Sequence, residues 1–131
     1  MADISQTIHN PQGIPIKGVK TVTASTTLTR EDAGKIIVVD AATKVTCTLP
    51  ATRKGYTYHF FFKTLSTGQG HAISPQAADT IFFKGAGTFA DDKDMEQDET
   101  ADAVGDHVTL VGDGSNGYYA ISVGGTFVRE T

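Results

Sequence analysis

The chain has 131 residues, of which 39% are hydrophobic and 20% charged, the length and composition of one soluble globular domain. Its single cysteine excludes a disulfide framework within the chain, and no apolar run approaches the length that spans a bilayer. The formal charge of −4 combines a basic first half with an acidic second half, without the dense basic stripe that nucleic acid requires. We therefore expect no nucleic-acid and no membrane partner. Because the first residues lack the pattern of a secretion signal, we expect synthesis in a cytoplasm.

Residues 1–24 are predicted to form an extended N-terminal arm. The first 18 positions are mostly polar and aperiodic, with a turn signal at residues 10–13 and Pro15 close behind. An arm of this kind frays in an isolated domain. We therefore expect a neighbouring subunit or a larger assembly to hold it.

Strand signals then follow one another along the chain. The predicted strands are residues 20–24, 36–39, 44–49, 56–63, 72–74, 80–83, 108–111, 118–123 and 127–128. Residues 36–39 are apolar at every position, which is typical of a central strand. Alternation in the 56–63 strand predicts an aromatic core stripe made of Tyr56, Tyr58, Phe60 and Phe62. The strands at 108–111 and 118–123 bracket a Gly/Asp/Asn loop and are predicted to pair as a hairpin.

Helix signals are limited to two single turns. Thr29–Asp32 has a capping-box pattern followed by Gly34, and Thr100–Val104 precedes Gly105. Short strands at close spacing with so little helix predict an all-β fold, a β-sandwich or jelly roll of about eight short strands. Residues 25–131 form this predicted domain, and within it residues 84–106 form a long acidic loop.

The acidic loop carries eight carboxylates between Asp91 and Asp106. An EF-hand does not fit, because Gln97 and Ala103 stand at the sixth and twelfth positions counted from Asp92. We interpret the run as a solvated loop that faces outward. The residues predicted to face outward are Asp91, Asp92, Asp94, Glu96, Asp98 and Glu99.

Other patterns have structural explanations. Residues 112–117 match a three-glycine dinucleotide pattern, but a strand follows where the pyrophosphate would need a helix N-terminus. The four histidines are scattered without metal-ligand spacing, and a strand position hydrogen-bonded to a neighbour is expected for His59. Cys47 alternates with core residues. We assign no catalytic residue, no metal and no cofactor, and expect that the protein is not an enzyme.

Five segments carry a resemblance to a known class of protein. They are LTREDAGKIIVVD (28–40), VTCTLP (45–50), GYTYHF (55–60), ISP and DTI within 73–81, and AVGDHVTLVGDGSNGYY (103–119). In this order they resemble small β-rich virion proteins of tailed bacteriophages: capsid decoration (cement) proteins and the heads of some fibres. The resemblance covers about residues 25–125.

This resemblance implies a structural virion protein, assembled in the cytoplasm of a bacterial host. Such a subunit binds the outside of the capsid and stabilises the shell by bridging neighbouring capsomers. Its partners would be the major capsid protein and further copies of itself, with a trimer preferred and a dimer possible. The predicted capsid-contacting residues are Ile4, Ile8, His9, Pro11, Ile14, Ile16, Lys17 and Lys20. The alternative is a fibre or tail-tip domain that binds a receptor glycan near Tyr118 and Tyr119.

Overall fold

The computed structural model describes residues 16–131, which form eleven strands and one turn of 3-10 helix at Arg30–Asp32. The strands are β1 (Gly18–Val22), β2 (Thr26–Thr27), β3 (Lys35–Asp40), β4 (Thr46–Thr48), β5 (Thr57–Thr64), β6 (Ala72–Ser74), β7 (Thr80–Phe82), β8 (Met95–Gln97), β9 (His107–Gly112), β10 (Gly117–Gly124) and β11 (Phe127–Arg129). The all-β fold predicted from the sequence is confirmed. Within this described range, no helix is long and apolar enough to cross a membrane.

The strands form two mixed sheets. One has six strands in the order β1-β3-β5-β9-β10-β7, and the other has five in the order β11-β8-β6-β4-β2. From β1 to β8 the chain alternates between the sheets, so that β1, β3 and β5 stack in parallel in one sheet while β2, β4 and β6 stack in parallel in the other. A jelly roll is an antiparallel architecture. The parallel stacks therefore make a sandwich the appropriate description.

The hydrophobic core consists of the inward-facing residues of both sheets. Three of the four residues of the predicted aromatic stripe are confirmed as core, since Tyr58, Phe60 and Phe62 are fully buried. Tyr56 lies just before β5 and is half-buried against the core. The Tyr58 hydroxyl donates to the Thr29 carbonyl oxygen at 3.0 Å, and the Tyr118 hydroxyl donates to the Pro50 carbonyl oxygen at 2.8 Å. Each buried phenol therefore has the polar partner that its burial requires.

The start of the sheet differs from the predicted domain boundary. β1 pairs in parallel with β3 along its whole length, from Gly18 opposite Lys35 to Val22 opposite Val39. Residues 18–22 therefore belong to the six-stranded sheet, although the sequence places them in the arm. Residues 1–15 of the predicted arm lie outside the described range.

The segment predicted as a long loop, residues 84–106, contains a strand. β8 pairs with β6 on one side and with β11 on the other, so it is an interior strand of the five-stranded sheet. Met95 and Gln97 face inward and are buried, while Glu96 is half-buried. The prediction of a structureless loop is wrong at these three positions. One buried methionine among acidic residues is too weak an alternation to indicate a strand.

Of the two predicted helical turns, the first is confirmed. Asp32 Oδ2 accepts a hydrogen bond from the Thr29 backbone N–H at 2.9 Å, the bond that the capping-box pattern predicts. The second is wrong, because residues around Thr100 form non-helical turns. There Asp98 Oδ1 accepts from both the N–H and the hydroxyl of Thr100, and this local bonding competes with a helix.

Candidate interaction surface

The outward face of the six-stranded sheet is largely apolar, although no further layer of residues 16–131 covers it. Its residues follow from strand alternation and pairing register: Ile36 lies beside His59, Val38 beside Phe61, and Tyr119 beside Val111. We call this surface the apolar sheet face. Its members are Val19, Thr21, Ile36, Val38, His59, Phe61, Thr109, Val111, Tyr119 and Ile121.

A bulge in β10 shapes this surface. The pairing of β10 with β9 shifts between Ala120 and Ser122, which leaves Ile121 without a ladder partner. The Ile121 side chain is 66% exposed and borders a groove of about 670 Å³ that also contacts Ile36 and Phe61. An aliphatic group held into solvent beside an apolar groove is a favourable anchor for a macromolecular partner.

The outward face of the five-stranded sheet has the opposite character. Most of its residues are polar: Thr27, Thr46, Thr48, Ser74 and Glu96, with Ala72 and Val128 as the apolar members. On this side Lys44 Nζ lies 3.1 Å from Glu96 Oε2. The sandwich therefore has one polar outward face and one largely apolar outward face.

Comparison with family models, with curated proteins and with solved structures finds no match to this chain.

Two histidines add polar groups to the apolar sheet face. His59 Nδ1 lies 3.0 Å from Thr109 Oγ1, which confirms the expected hydrogen-bonded strand histidine, and burial lowers the pKa of His59. His107, at the groove margin, donates from Nδ1 to the Gly105 carbonyl oxygen at 3.0 Å. At neutral pH His59 therefore offers a hydrogen bond without requiring a buried charge.

An aromatic cluster continues the surface at the β7 edge. The Phe82 ring lies 5.1 Å from the Tyr119 ring and 5.0 Å from the Phe89 ring, at tilted and edge-on angles. Tyr119 and Phe89 are exposed, at 43% and 50%. Tyr118, the other tyrosine expected to face a glycan, is fully buried, because the strand alternation that exposes Tyr119 turns its neighbour into the core.

The adjoining loop at residues 112–117 is a closed hairpin turn, as the sequence predicts. Asp113 Oδ1 accepts backbone N–H bonds from Ser115, Asn116 and Gly117 at 2.8–3.0 Å. These bonds, led by that of Gly117, hold the pKa of Asp113 well below its usual range. The carboxylate therefore stabilises the turn, and the side chains of Ser115 and Asn116 face solvent.

The predicted capsid-contacting residues divide into two groups. Ile16 and Lys17 are exposed and line one end of the groove. Lys20 lies in the middle of β1, with its Nζ 3.5 Å from Asp32 Oδ1. The others lie outside the described range: Ile4, Ile8, His9, Pro11 and Ile14. The structure thus brings the described arm residues Ile16 and Lys17 to the rim of the apolar sheet face.

The six predicted outward-facing acids have different environments. Asp91, Asp92 and Glu99 are exposed, whereas Asp94, Glu96 and Asp98 are half-buried. Thr80 donates to Asp91 Oδ1 at 2.5 Å, and burial raises the pKa of Asp94. Among residues 16–131, no group of histidine, cysteine and carboxylate side chains is arranged to hold a metal ion.

Among the described residues, the buried cysteine, histidine and aspartate side chains discussed next take part in core packing or in hydrogen bonds within the fold. Cys47 lies in the core, where burial raises the pKa of its thiol to about 12. His71 is enclosed, with Nδ1 accepting from the Val45 backbone N–H and Nε2 contacting the Thr64 carbonyl oxygen, both at 2.9 Å. Asp79 Oδ2 accepts from the Thr52 backbone N–H at 2.9 Å. These bonds connect strands and loops within the fold.

The sequence contains two signals of the apolar sheet face, but they did not lead to the prediction of an exposed apolar surface. Residues 36–39 are apolar at every position, and Phe61 stands opposite the aromatic core stripe. The first observation predicted a central strand, and no prediction was drawn from the position of Phe61. Within residues 16–131, no second layer covers this side of the six-stranded sheet.

Proposed function

We propose that the protein is a structural virion subunit that binds the outside of a phage capsid and stabilises the shell by bridging neighbouring capsomers. The observation that supports this proposal is the apolar sheet face. A chain that keeps one sheet side apolar and the other polar is suited to work within an assembly. The identity of that assembly is suggested by the sequence resemblance to phage decoration proteins.

In this proposal the arm makes the contact with the major capsid protein. Ile16 and Lys17 place the described start of the chain at the rim of the apolar sheet face. An extended segment that leaves this rim can add to, or wrap around, a neighbouring protein. Contacts of modest strength, repeated over a shell, give high avidity without a tight single site. No chemical step is assigned, and the partners are the shell protein and further copies of this chain.

Copy number in the particle is the first test. The phage that encodes this chain would be purified and the protein quantified by mass spectrometry against the major shell protein. A ratio of the same order is expected for a decoration protein. A complete absence from the particle would refute the proposal.

Deletion of residues 2–15 is the second test, because these residues precede β1 and every strand described in residues 16–131 is retained. The truncated protein should retain β-type circular dichroism and lose binding to shells that lack the decoration protein. A point variant on the polar sheet, Thr48→Ser, is the control that should bind normally. Retained shell binding by the truncated protein would contradict the role of the arm.

The second candidate function is a fibre or tail-tip domain that binds a receptor glycan, and the exposed aromatic cluster favours it. Tyr119, Phe82 and Phe89 present ring surfaces beside the 112–117 loop. This function expects few copies per particle and glycan-array binding that Tyr119→Ala abolishes. Tyr118→Ala is unsuitable as a test, since the Tyr118 side chain belongs to the core.

A further inference from the structure

We propose that the apolar sheet face is the interface of a twofold dimer, in which two copies of the chain pack their six-stranded sheets against each other. This inference deepens the proposed function and rests on it in one respect, the use of the apolar sheet face for assembly. It assigns the occupant of that face, a second copy of the chain. It also decides between the two oligomeric states that the sequence left open.

Size is the first argument. Six strands spaced about 4.8 Å apart give a width of roughly 29 Å, and the four central strands extend about 20–26 Å, whereas the edge strands β1 and β7 extend only about 17 and 10 Å. The resulting area of roughly 570 Å² is of the same order as the roughly 800 Å² that each partner buries in a standard protein interface. The face can therefore supply most of the area of a dimer interface, and residues at its rim would supply the rest.

Charge is the second argument. Under a twofold axis the same patch faces its own copy, so like charges near the centre would repel each other. The apolar sheet face contains no Asp, Glu, Lys or Arg. The charged residues of the outward side lie at its margins: Lys17 at one end of the groove, and Lys63 near the end of β5, 3.6 Å from Asp40. The face is thus compatible with a copy of itself.

Location of the acidic residues is the third argument. Glu96 lies on the outward side of the five-stranded sheet, and Asp94 and Asp98 flank the same strand, β8. A dimer through the apolar sheet face leaves both five-stranded sheets on the outside, where these charges remain solvated. Any arrangement that paired the five-stranded sheets would bring the two sets of acids together.

Geometry favours two copies over three. Sheet faces pack in aligned layers about 10 Å apart, so a twofold axis lets the two six-stranded sheets stack directly on each other. In a threefold arrangement no sheet has a single partner sheet stacked on it. In the dimer, Ile121 and Phe61 of each copy bury their exposed surfaces, and the Ile16 ends of the two chains emerge at the rim, free to engage a shell.

Sedimentation of the full chain tests the dimer. We expect a dimer at micromolar concentration, and the substitution Ile121→Asp should raise its dissociation constant at least about 30-fold, the effect of losing one hot-spot residue. Val19→Asp is a second variant on the same face. Val104→Asp is the matched control, because Val104 is 67% exposed, as Ile121 is at 66%, but belongs to a turn outside the strands and does not line the groove. Circular dichroism would show that each variant is folded.

The outcomes separate this inference from the proposed function. A wild-type chain that is monomeric or trimeric at these concentrations, or an Ile121→Asp variant that remains as dimeric as wild type, would overturn the dimer. If a monomeric wild type binds shells and Ile121→Asp abolishes that binding, the face docks on the shell, and the proposed function survives without the dimer. A dimer that is sensitive to Ile121→Asp but absent from phage particles would support this inference and reject the virion role.

Discussion

The backbone N–H of Val45 donates a hydrogen bond to Nδ1 of His71 at 2.9 Å, inside the sandwich and 26 residues away along the chain. Because Nδ1 accepts, Nε2 carries the proton and donates to the Thr64 carbonyl oxygen at 2.9 Å. The ring also stacks on Phe62, at 6.0 Å between centroids. One imidazole therefore connects the residue before β4 with the last residue of β5.

Replacing His71 should destabilise the fold strongly. In His71→Leu the buried N–H of Val45 and the carbonyl of Thr64 lose their partner, and we expect a loss of about 3 kcal/mol in the free energy of unfolding. Urea denaturation followed by circular dichroism measures it. The control is His107→Ala, whose exposed side chain should contribute less than about 0.5 kcal/mol. Equal midpoints for the two variants would show that the His71 bonds contribute little.

Gly117 is expected to be intolerant of any side chain. Its φ is +149°, and a Cβ added there would lie 1.9 Å from the Thr80 carbonyl oxygen, at the point where β10 meets β7. Gly117→Ala should cost about 3 kcal/mol, since it combines a strained backbone with a steric clash. Gly68→Ala is the matched control: φ there is +77°, but the space is open, so only the backbone cost of about 1 kcal/mol applies. Thermal melting of both variants measures the difference, and similar melting temperatures would contradict the clash.

The local sequence predicted where the strands lie better than it predicted which strands pair with each other. Val45, Cys47 and Leu49 alternate with polar residues and are all buried, as the pattern indicates. β2 consists of two threonines and exists because it pairs with β4, so no apolar signal could reveal it. The parallel pairing of β1 with β3 and β5 is equally non-local, because strand propensity does not select a partner.

The character of the candidate surface was also outside the reach of local patterns. A run such as residues 36–39 of β3, apolar at every position, is typical of a strand that is covered on both sides. The structure covers one side with the core, which includes Ile37 and Val39, and leaves Ile36 and Val38 on the other. Only the arrangement of the two sheets distinguishes a second buried side from an exposed one.

The thiol of Cys47 should be unreactive in the folded protein. It is 1% exposed in β4, and burial raises its pKa to about 12, so the reactive thiolate is scarce at pH 8. We expect labelling by a soluble thiol reagent to be at least about 1000-fold slower in buffer than in 8 M urea, given the usual rarity of the unfolded state. Rapid labelling in buffer would mean that the five-stranded sheet opens locally around β4, contrary to its position in the core.

Mild acid should destabilise the protein through His59. Burial lowers the pKa of His59 in the folded chain, whereas in the unfolded chain the imidazole titrates near its ordinary value of about 6.5. At a pH between these two values, the imidazole is protonated in the unfolded chain and neutral in the folded chain. The free energy of unfolding therefore falls as the pH falls below about 6.5. At pH 5.5 the free energy of unfolding is lower by at most about 1.4 kcal/mol. Because the imidazole keeps some contact with solvent, the decrease is smaller than this upper bound.

The measurement compares wild type with His59→Gln, which cannot titrate, in urea denaturations from pH 7.5 to 5.5 at one fixed protein concentration. The stability difference between them should shift in favour of the variant as the pH falls. Thr57→Val, on the same face of β5, is the control whose difference from wild type should not depend on pH, because neither side chain titrates. Comparing variants at each pH cancels the opposite contribution of Asp94, whose raised pKa favours the folded state in acid. A His59→Gln difference that stays constant across the range would mean that the folded protein accepts a charged His59 on its apolar sheet face as readily as the unfolded chain does.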